Sequence, residues 1–224
     1  MKLALIGKNI SHSRSPEIYK NLLGEKLSSY ILLDYKMEKD IPTAQNLFLK
    51  FDGISITSPY KKHFLTEVHL VDCSRNIAGI NCLRKKNNFI EGTNTDFLAI
   101  KEIILKLKSE NTFQQMAILG DGVMSRVTEL AFQELNLSYQ IYSRRLTKFF
   151  DQLIFSDTLI INTCSRDYVF KGEIGKNVTF WDYNYDFFPH ISLLTPLCKK
   201  YIDDHSLLHL QAKYALAFWS EGKL

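Results

Sequence analysis

The sequence predicts an α/β protein with parallel strands, and two observations carry that expectation. Short apolar runs closed by glycine or polar residues alternate with segments whose apolar residues recur at helical spacing, the pattern of strands joined by right-handed crossovers. One junction, Met116-Ala117-Ile118-Leu119 followed by Gly120-Asp121-Gly122-Val123-Met124-Ser125, sets a glycine turn between a strand and a helix.

Residues 3–6 read as a buried strand ended by Gly7. Ser15-Pro16-Glu17 then starts a helix, with Ser15 as N-cap, proline at the first helical position and an acid in the first turn, and Gly24 closes it. Residues 30–33 form a strand, 41–51 a helix and 54–57 a strand, while 80–84 and 89–91 flank Asn87-Asn88 as a hairpin. Residues 97–108 form a long helix capped by Asp96, which links two domains. Beyond Asn111 the alternation restarts: strand 116–119, helix 125–135, then strands 139–142, 159–161 and 178–181. A last helix over 206–219 is apolar nearly all round and must be buried.

At 224 residues, 46% apolar and 23% charged, the chain has the composition of a globular protein and the length for two small domains. The net charge of +4 is mild, and the basic residues are scattered apart from Arg84-Lys85-Lys86 and Arg144-Arg145. That weighs against a nucleic-acid reader and suits an anionic small molecule. Cys73, Cys82, Cys164 and Cys198 are far apart and form no Cys-x-x-Cys pair, so they read as reduced, mostly buried thiols. The first apolar run is too short for a signal-peptide core or a membrane span, and a cytoplasmic protein without membrane contact is expected. His205 and His209 stand four apart, but with no carboxylate or cysteine expected to complete a set, no metal is assigned.

In the glycine turn, Gly120 permits a tight bend, Gly122 lets backbone approach a pyrophosphate, and the helix start offers unpaired N–H groups. The next strand ends in Ser143-Arg144-Arg145 with Lys148 nearby and no carboxylate, which favours NADP over NAD. An ordinary turn with solvated arginines is the plain alternative. The hydroxyls of Ser11-His12-Ser13-Arg14-Ser15 could grip a carboxylate or polyol, or Ser15 could simply cap its helix. Read singly, Lys61 is a surface charge and Asp96 a helix cap.

Taken together, His12-Ser13-Arg14-Ser15-Pro16, Ile56-Thr57-Ser58-Pro59-Tyr60-Lys61, Ala78-Gly79-Ile80-Asn81, Asn94-Thr95-Asp96, the Gly120 turn with Ser125-Arg126, Ser143-Arg144, and Gln211 ahead of Trp219 follow one another in an order that resembles the shikimate dehydrogenase family. The resemblance spans nearly the whole chain. It implies an N-terminal α/β substrate domain plus a Rossmann-like dinucleotide-binding domain, with the last helix returning to the first domain: 1–98 and 205–224 for the catalytic, substrate-binding part, and 99–204 for NADP. It implies reversible reduction of 3-dehydroshikimate to shikimate with NADPH, by a monomer or homodimer. Lys61 and Asp96 match the catalytic pair; Ser13, Ser15, Thr57, Asn81, Tyr185 and Gln211 match substrate-binding positions; Gly120, Asp121, Gly122, Val123, Met124, Ser125, Ser143, Arg144 and Lys148 match the cofactor site. Quinate as substrate, or a non-catalytic ligand-binding protein on the same fold, are the alternatives.

The chain also departs from the family. Val123 replaces a second consecutive glycine and is expected to strain a left-handed turn and crowd the pyrophosphate, while Asp121 adds a negative charge beside it. A glycine-rich stretch becomes Asp203-Asp204-His205-Ser206, and few residues remain between Leu135 and Val178 for the usual helices.

Overall fold

The structure, a computed structural model, describes residues 1–71, 77, 79–148 and 150–221. Cys73 and Ala78 lie outside the described residues. The elements run β1 (Lys2–Gly7), α1 (Ser15–Leu23), β2 (Ser29–Asp34), α2 (Ala44–Leu47), β3 (Gly53–Ile56), β4 (His69–Leu70), β5 (Cys82–Lys86), β6 (Phe89–Thr93), α3 (Thr95–Glu110), β7 (Gln115–Leu119), α4 (Val123–Glu134), β8 (Gln140–Tyr142), β9 (Ile154–Phe155), β10 (Thr158–Asn162), β11 (Glu173–Ile174), β12 (Thr179–Asp182), α5 (Phe188–Leu194), β13 (Lys200–Asp203) and α6 (His205–Glu221). They fall into two compact units, Met1–Ala99 with Leu208–Leu224, and Ile100–Leu207.

The first unit carries a six-stranded sheet in the order β2-β1-β3-β5-β6-β4. β1 pairs in parallel with β2 and β3, and the β5–β6 hairpin is antiparallel. Alternation along the strands gives the sheet two apolar faces. Ile6, Ile54 and Ile56 join a cluster with Leu47, Tyr60 and Phe64, while Leu3 and Cys82 join Ile18, Tyr19, Ala212, Ala215 and Trp219. On that second face Gly53 leaves room for the Trp219 indole, whose ring carbons lie 2.6 Å from where a Cβ would stand.

Three local expectations change. The helix over 41–51 contracts to α2, because the Thr43 hydroxyl accepts from Asn46 N and starts it late. The N–H groups of Leu49 and Lys50 then bond three residues back and tighten the chain out of the helix. Ser15 lies inside α1 rather than capping it, since Arg14 holds the N-cap position. Asp96 sits in the first turn of α3, and Asn94 is the cap, its Oδ1 accepting from Phe97 N at 3.1 Å.

The second unit is an all-parallel sheet in the order β13-β12-β10-β7-β8. β7 lies between β8 and β10, so the chain leaves it in two directions, and loops at the carboxyl ends diverge there. The shortage of helices has a concrete form: the connections around β10 are built from a 3-10 turn at Phe150–Gln152 and a small parallel pair, β9 with β11. Phe150, Phe155, Tyr168 and Phe170 cover the apolar sheet face there. α5 and β13 were not anticipated from the sequence; the short α5 is anchored by buried polar groups rather than by a long apolar stripe. Asp182, fully buried at the end of β12, accepts from Tyr201 Oη at 3.0 Å and Asn162 Nδ2 at 2.9 Å. His190 Nδ1 lies 2.5 Å from its other contact, Asp182 Oδ2, while His190 Nε2 accepts from Phe170 N, which fixes the tautomer with the proton on Nδ1. Among the described residues no helix is long and apolar enough to cross a membrane.

Candidate active site

Strand directions in the first unit bring four separate segments to one rim. β1 and β3 are parallel, β5 runs against β3, and β6 runs against β5. The carboxyl ends of β1, β3 and β6 therefore share an edge with the start of β5. Backbone bonds stitch these ends together: Thr57 N to Ile6 O, Ile80 N to Lys61 O and Asn81 N to Thr93 O. The Asn94 amide adds a bond to Gly79 O at 3.0 Å.

Lys61 and Asp96 meet at this rim. Lys61 Nζ donates to Asp96 Oδ2 at 2.7 Å, and each residue is only 8% exposed. Removing two charges from water costs about as much as their attraction returns, so such a pair adds little net stability over apolar residues. Its chemical use is different. It holds an ammonium, a proton donor, at a fixed place beside a carboxylate.

Around that pair the polar side chains form a network. Thr95 N donates to Asn81 Oδ1 at 2.7 Å, and Asn81 Nδ2 donates to Thr95 Oγ1 at 3.1 Å. The Thr95 hydroxyl also reaches Gln211 Oε1 at 3.4 Å, which draws α6 into the site. Thr95 is thus a hub that sequence reading left out, although it stands within the Asn94-Thr95-Asp96 motif. Ser13 Oγ donates to Ser15 Oγ at 3.2 Å and accepts from Ser15 N, holding the two hydroxyls side by side. Thr57 packs its methyl against Gly7, where a Cβ would approach it to 2.6 Å. Beneath, Tyr19 and Tyr30 stack at 5.0 Å with buried hydroxyls, and burial pushes both phenols well above their usual range, with the Ser55 hydroxyl opposing the shift only in part.

Tyr185 belongs to the second unit, in the loop after β12, with its ring 6.1 Å from that of His205. There His205 Nε2 lies 3.1 Å from Asp186 Oδ1 and 3.8 Å from Asp203 Oδ2. Carboxylates do therefore gather at His205, contrary to the sequence expectation, because β13 and the loop after β12 end at the same place.

The second unit's glycine turn lies at the switch point between β7 and β10. Gly120 has φ +111°, and a Cβ there would meet Thr163 Oγ1 at 2.6 Å and Cys164 N at 3.3 Å, so only glycine suits. Gly122 is the N-cap of α4, with open space where a Cβ would stand. Val123 is the first residue of α4, in helical conformation, so the expected left-handed strain does not arise. Met124 follows, its carbonyl accepting from Thr128 Oγ1, and Ser125 is buried with its hydroxyl lacking a partner among the described residues. The amides of a helix start, an open glycine and a buried hydroxyl together fit an anionic group. Ser143 folds its own turn, its Oγ accepting from Leu146 N, and Arg144 and Lys148 are exposed on it. Asp121 is held by Arg145 through two hydrogen bonds, Nε to Oδ2 at 2.7 Å and Nη2 to Oδ1 at 2.9 Å, which keep its carboxyl below the usual range.

Fold and site define a two-unit α/β protein with a Rossmann-like second unit. Residues 5–83 match the family described as shikimate dehydrogenase substrate binding domain. A shikimate dehydrogenase (NADP(+)) of Saccharolobus islandicus is 30% identical over 138 residues, covering 60% of this chain and 49% of that protein. The chain thus spans about half the length of this relative. The shikimate dehydrogenase (NADP(+)) of Buchnera aphidicola subsp. Cinara cedri is 28% identical over an alignment of 257 residues, covering 97% of this chain and 89% of that one. The crystal structure of shikimate dehydrogenase 1 from Peptoclostridium difficile superposes with a TM-score of 0.77 at 19% identity over 100% of this chain and 92% of that chain, a likeness of fold. The chain is thus similar in sequence to shikimate dehydrogenases, most directly over residues 5–83, and shares their fold.

Proposed function

We propose that the protein catalyses the NADP-dependent, reversible reduction of 3-dehydroshikimate to shikimate. The observation that carries this reading is the buried Lys61–Asp96 pair at the rim of the first sheet. Bound NADPH would supply the hydride. Lys61 gives the proton that the substrate's C3 oxygen takes up, and in the reverse direction accepts it from the C3 hydroxyl. Asp96 positions the ammonium and accepts a substrate hydroxyl. Ser13 and Ser15, already paired, hold the carboxylate, and Thr57, Asn81 and Gln211 take the remaining hydroxyls, with Tyr185 serving the same ligand. Asn81 still has a second amide N–H for this purpose beyond its bond to Thr95.

In the second unit, the amides opening α4 and the Ser125 hydroxyl face the pyrophosphate, and Arg144 with Lys148 takes the 2′-phosphate. Segments 1–98 and 205–224 then serve the substrate and 99–204 the nucleotide. We place the protein in the cytoplasm as a monomer or homodimer. The test is a steady-state assay of shikimate or quinate against NADP+ or NAD+, following reduced nicotinamide. Turnover with shikimate and NADP+ is expected; saturable ligand binding without turnover for any pair would replace this reading with a binding protein on the same fold.

A further inference from the structure

We infer that Arg145 is the built-in counter-ion of Asp121, and that this pair decides whether the glycine turn accepts a dinucleotide. The inference rests on the NADP reading above and goes beyond it, because it gives Arg145 a task of its own, separate from holding the nucleotide.

Asp121 directly follows Gly120 and precedes Gly122, the N-cap of α4, which puts an acidic residue in the turn that leads into the amides that would receive a phosphate. Left alone, a negative charge at that place would oppose every phosphate group by more than about tenfold in affinity. Arg145, 24 residues further on, meets both carboxylate oxygens at once, at 2.7 and 2.9 Å. An exposed ion pair is ordinarily weak, but this two-pronged geometry is the arrangement that persists. The two residues also lie on the loops after β7 and β8, neighbouring strands of one sheet, so the pair fastens one side of the turn to the other. With its guanidinium occupied by Asp121, Arg145 renders the turn electrically neutral. The neighbouring Arg144 has no ion-pair partner among the described residues and remains for the 2′-phosphate.

The competing arrangement, in which Arg145 releases Asp121 and touches the nucleotide itself, is separable by a double-mutant cycle. NADP+ and NAD+ are titrated calorimetrically into the parent, Arg145→Gln, Asp121→Asn and the double variant. In the parent background Arg145→Gln weakens both dinucleotides by about tenfold or more, because it exposes the carboxylate. In the Asp121→Asn background the same change costs less than about threefold, because there is no charge left to neutralise. Arg145→Lys, which keeps the charge, falls between parent and Arg145→Gln. An equal loss in both backgrounds would assign Arg145 to the nucleotide directly and overturn the proposal. So would an Arg145→Gln variant that binds as tightly as the parent. A parent that binds neither dinucleotide removes the NADP reading itself, and this one with it.

Discussion

Lys61 and Asp96, 35 residues apart in sequence, share a 2.7 Å hydrogen bond in a buried setting, and they come from the ends of different elements: the turn after β3 and the first turn of α3. Because the amine is the proposed proton carrier, Lys61→Ala should lower kcat by about 10²- to 10⁴-fold. Shikimate affinity, measured by calorimetry, should change far less. A variant with normal kcat and weakened binding would contradict the assignment. Asp96→Ala should also lower stability by about 3–5 kcal/mol, since it strands a buried ammonium, and urea unfolding measures this.

Thr95 joins Asn81 to Gln211 through one hydroxyl. Thr95→Val keeps the shape and removes that hydroxyl, leaving the Asn81 amide without one partner. We expect a loss of about 1–2 kcal/mol in stability. A rise in KM for shikimate with little change in kcat should accompany it. An unchanged KM would mean that Asn81 and Gln211 are held by other contacts.

Gly53 lies under the Trp219 indole, whose Nε1 donates to Leu83 O at 2.8 Å. Gly53→Ala brings a methyl to 2.6 Å from the ring and must displace it. The cost should be about 1–3 kcal/mol, with a shifted tryptophan emission reporting the movement of the ring. Identical emission and an unchanged urea midpoint would show that the sheet yields there without penalty.

Burial pushes the Cys164 and Cys198 thiols up to about 11, and the Cys82 thiol well above its usual range. A raised thiol stays protonated at neutral pH, and only the thiolate attacks. Peptide mass spectrometry after iodoacetamide at pH 7.5 should therefore find these three alkylated much more slowly than a free small thiol, with rates rising as pH increases. Fast labelling of Cys164 at pH 7.5 would indicate that the segment after β10 opens readily.

The parallel α/β class was legible in the sequence because alternation and turn residues are local signals. The glycine turn and the Asn87-Asn88 hairpin belong to the same kind. What the sequence leaves ambiguous depends on neighbours distant along the chain. Asp96 reads as a cap until the Asn94 side chain takes that place, and only strand register brings it to Lys61. Asp121 and Val123 look harmful as isolated substitutions. Arg145 and the helical conformation of residue 123 become visible only once loops 24 residues apart are placed side by side. The β9–β11 pair and β13 are too short to carry a period, so their existence depends on the aromatic cluster and on the buried Asp182 contacts.

The face of the first sheet that receives Tyr19 is completed by Ala212, Ala215 and Trp219, residues made roughly a hundred positions after Ala99 closes the N-terminal stretch. At ordinary ribosomal speeds that delay is roughly 5–20 s. During synthesis the nascent amino-terminal half must wait with one apolar surface bare, a natural landing place for chaperones, while the inserted unit has all of its own strands available and can mature first.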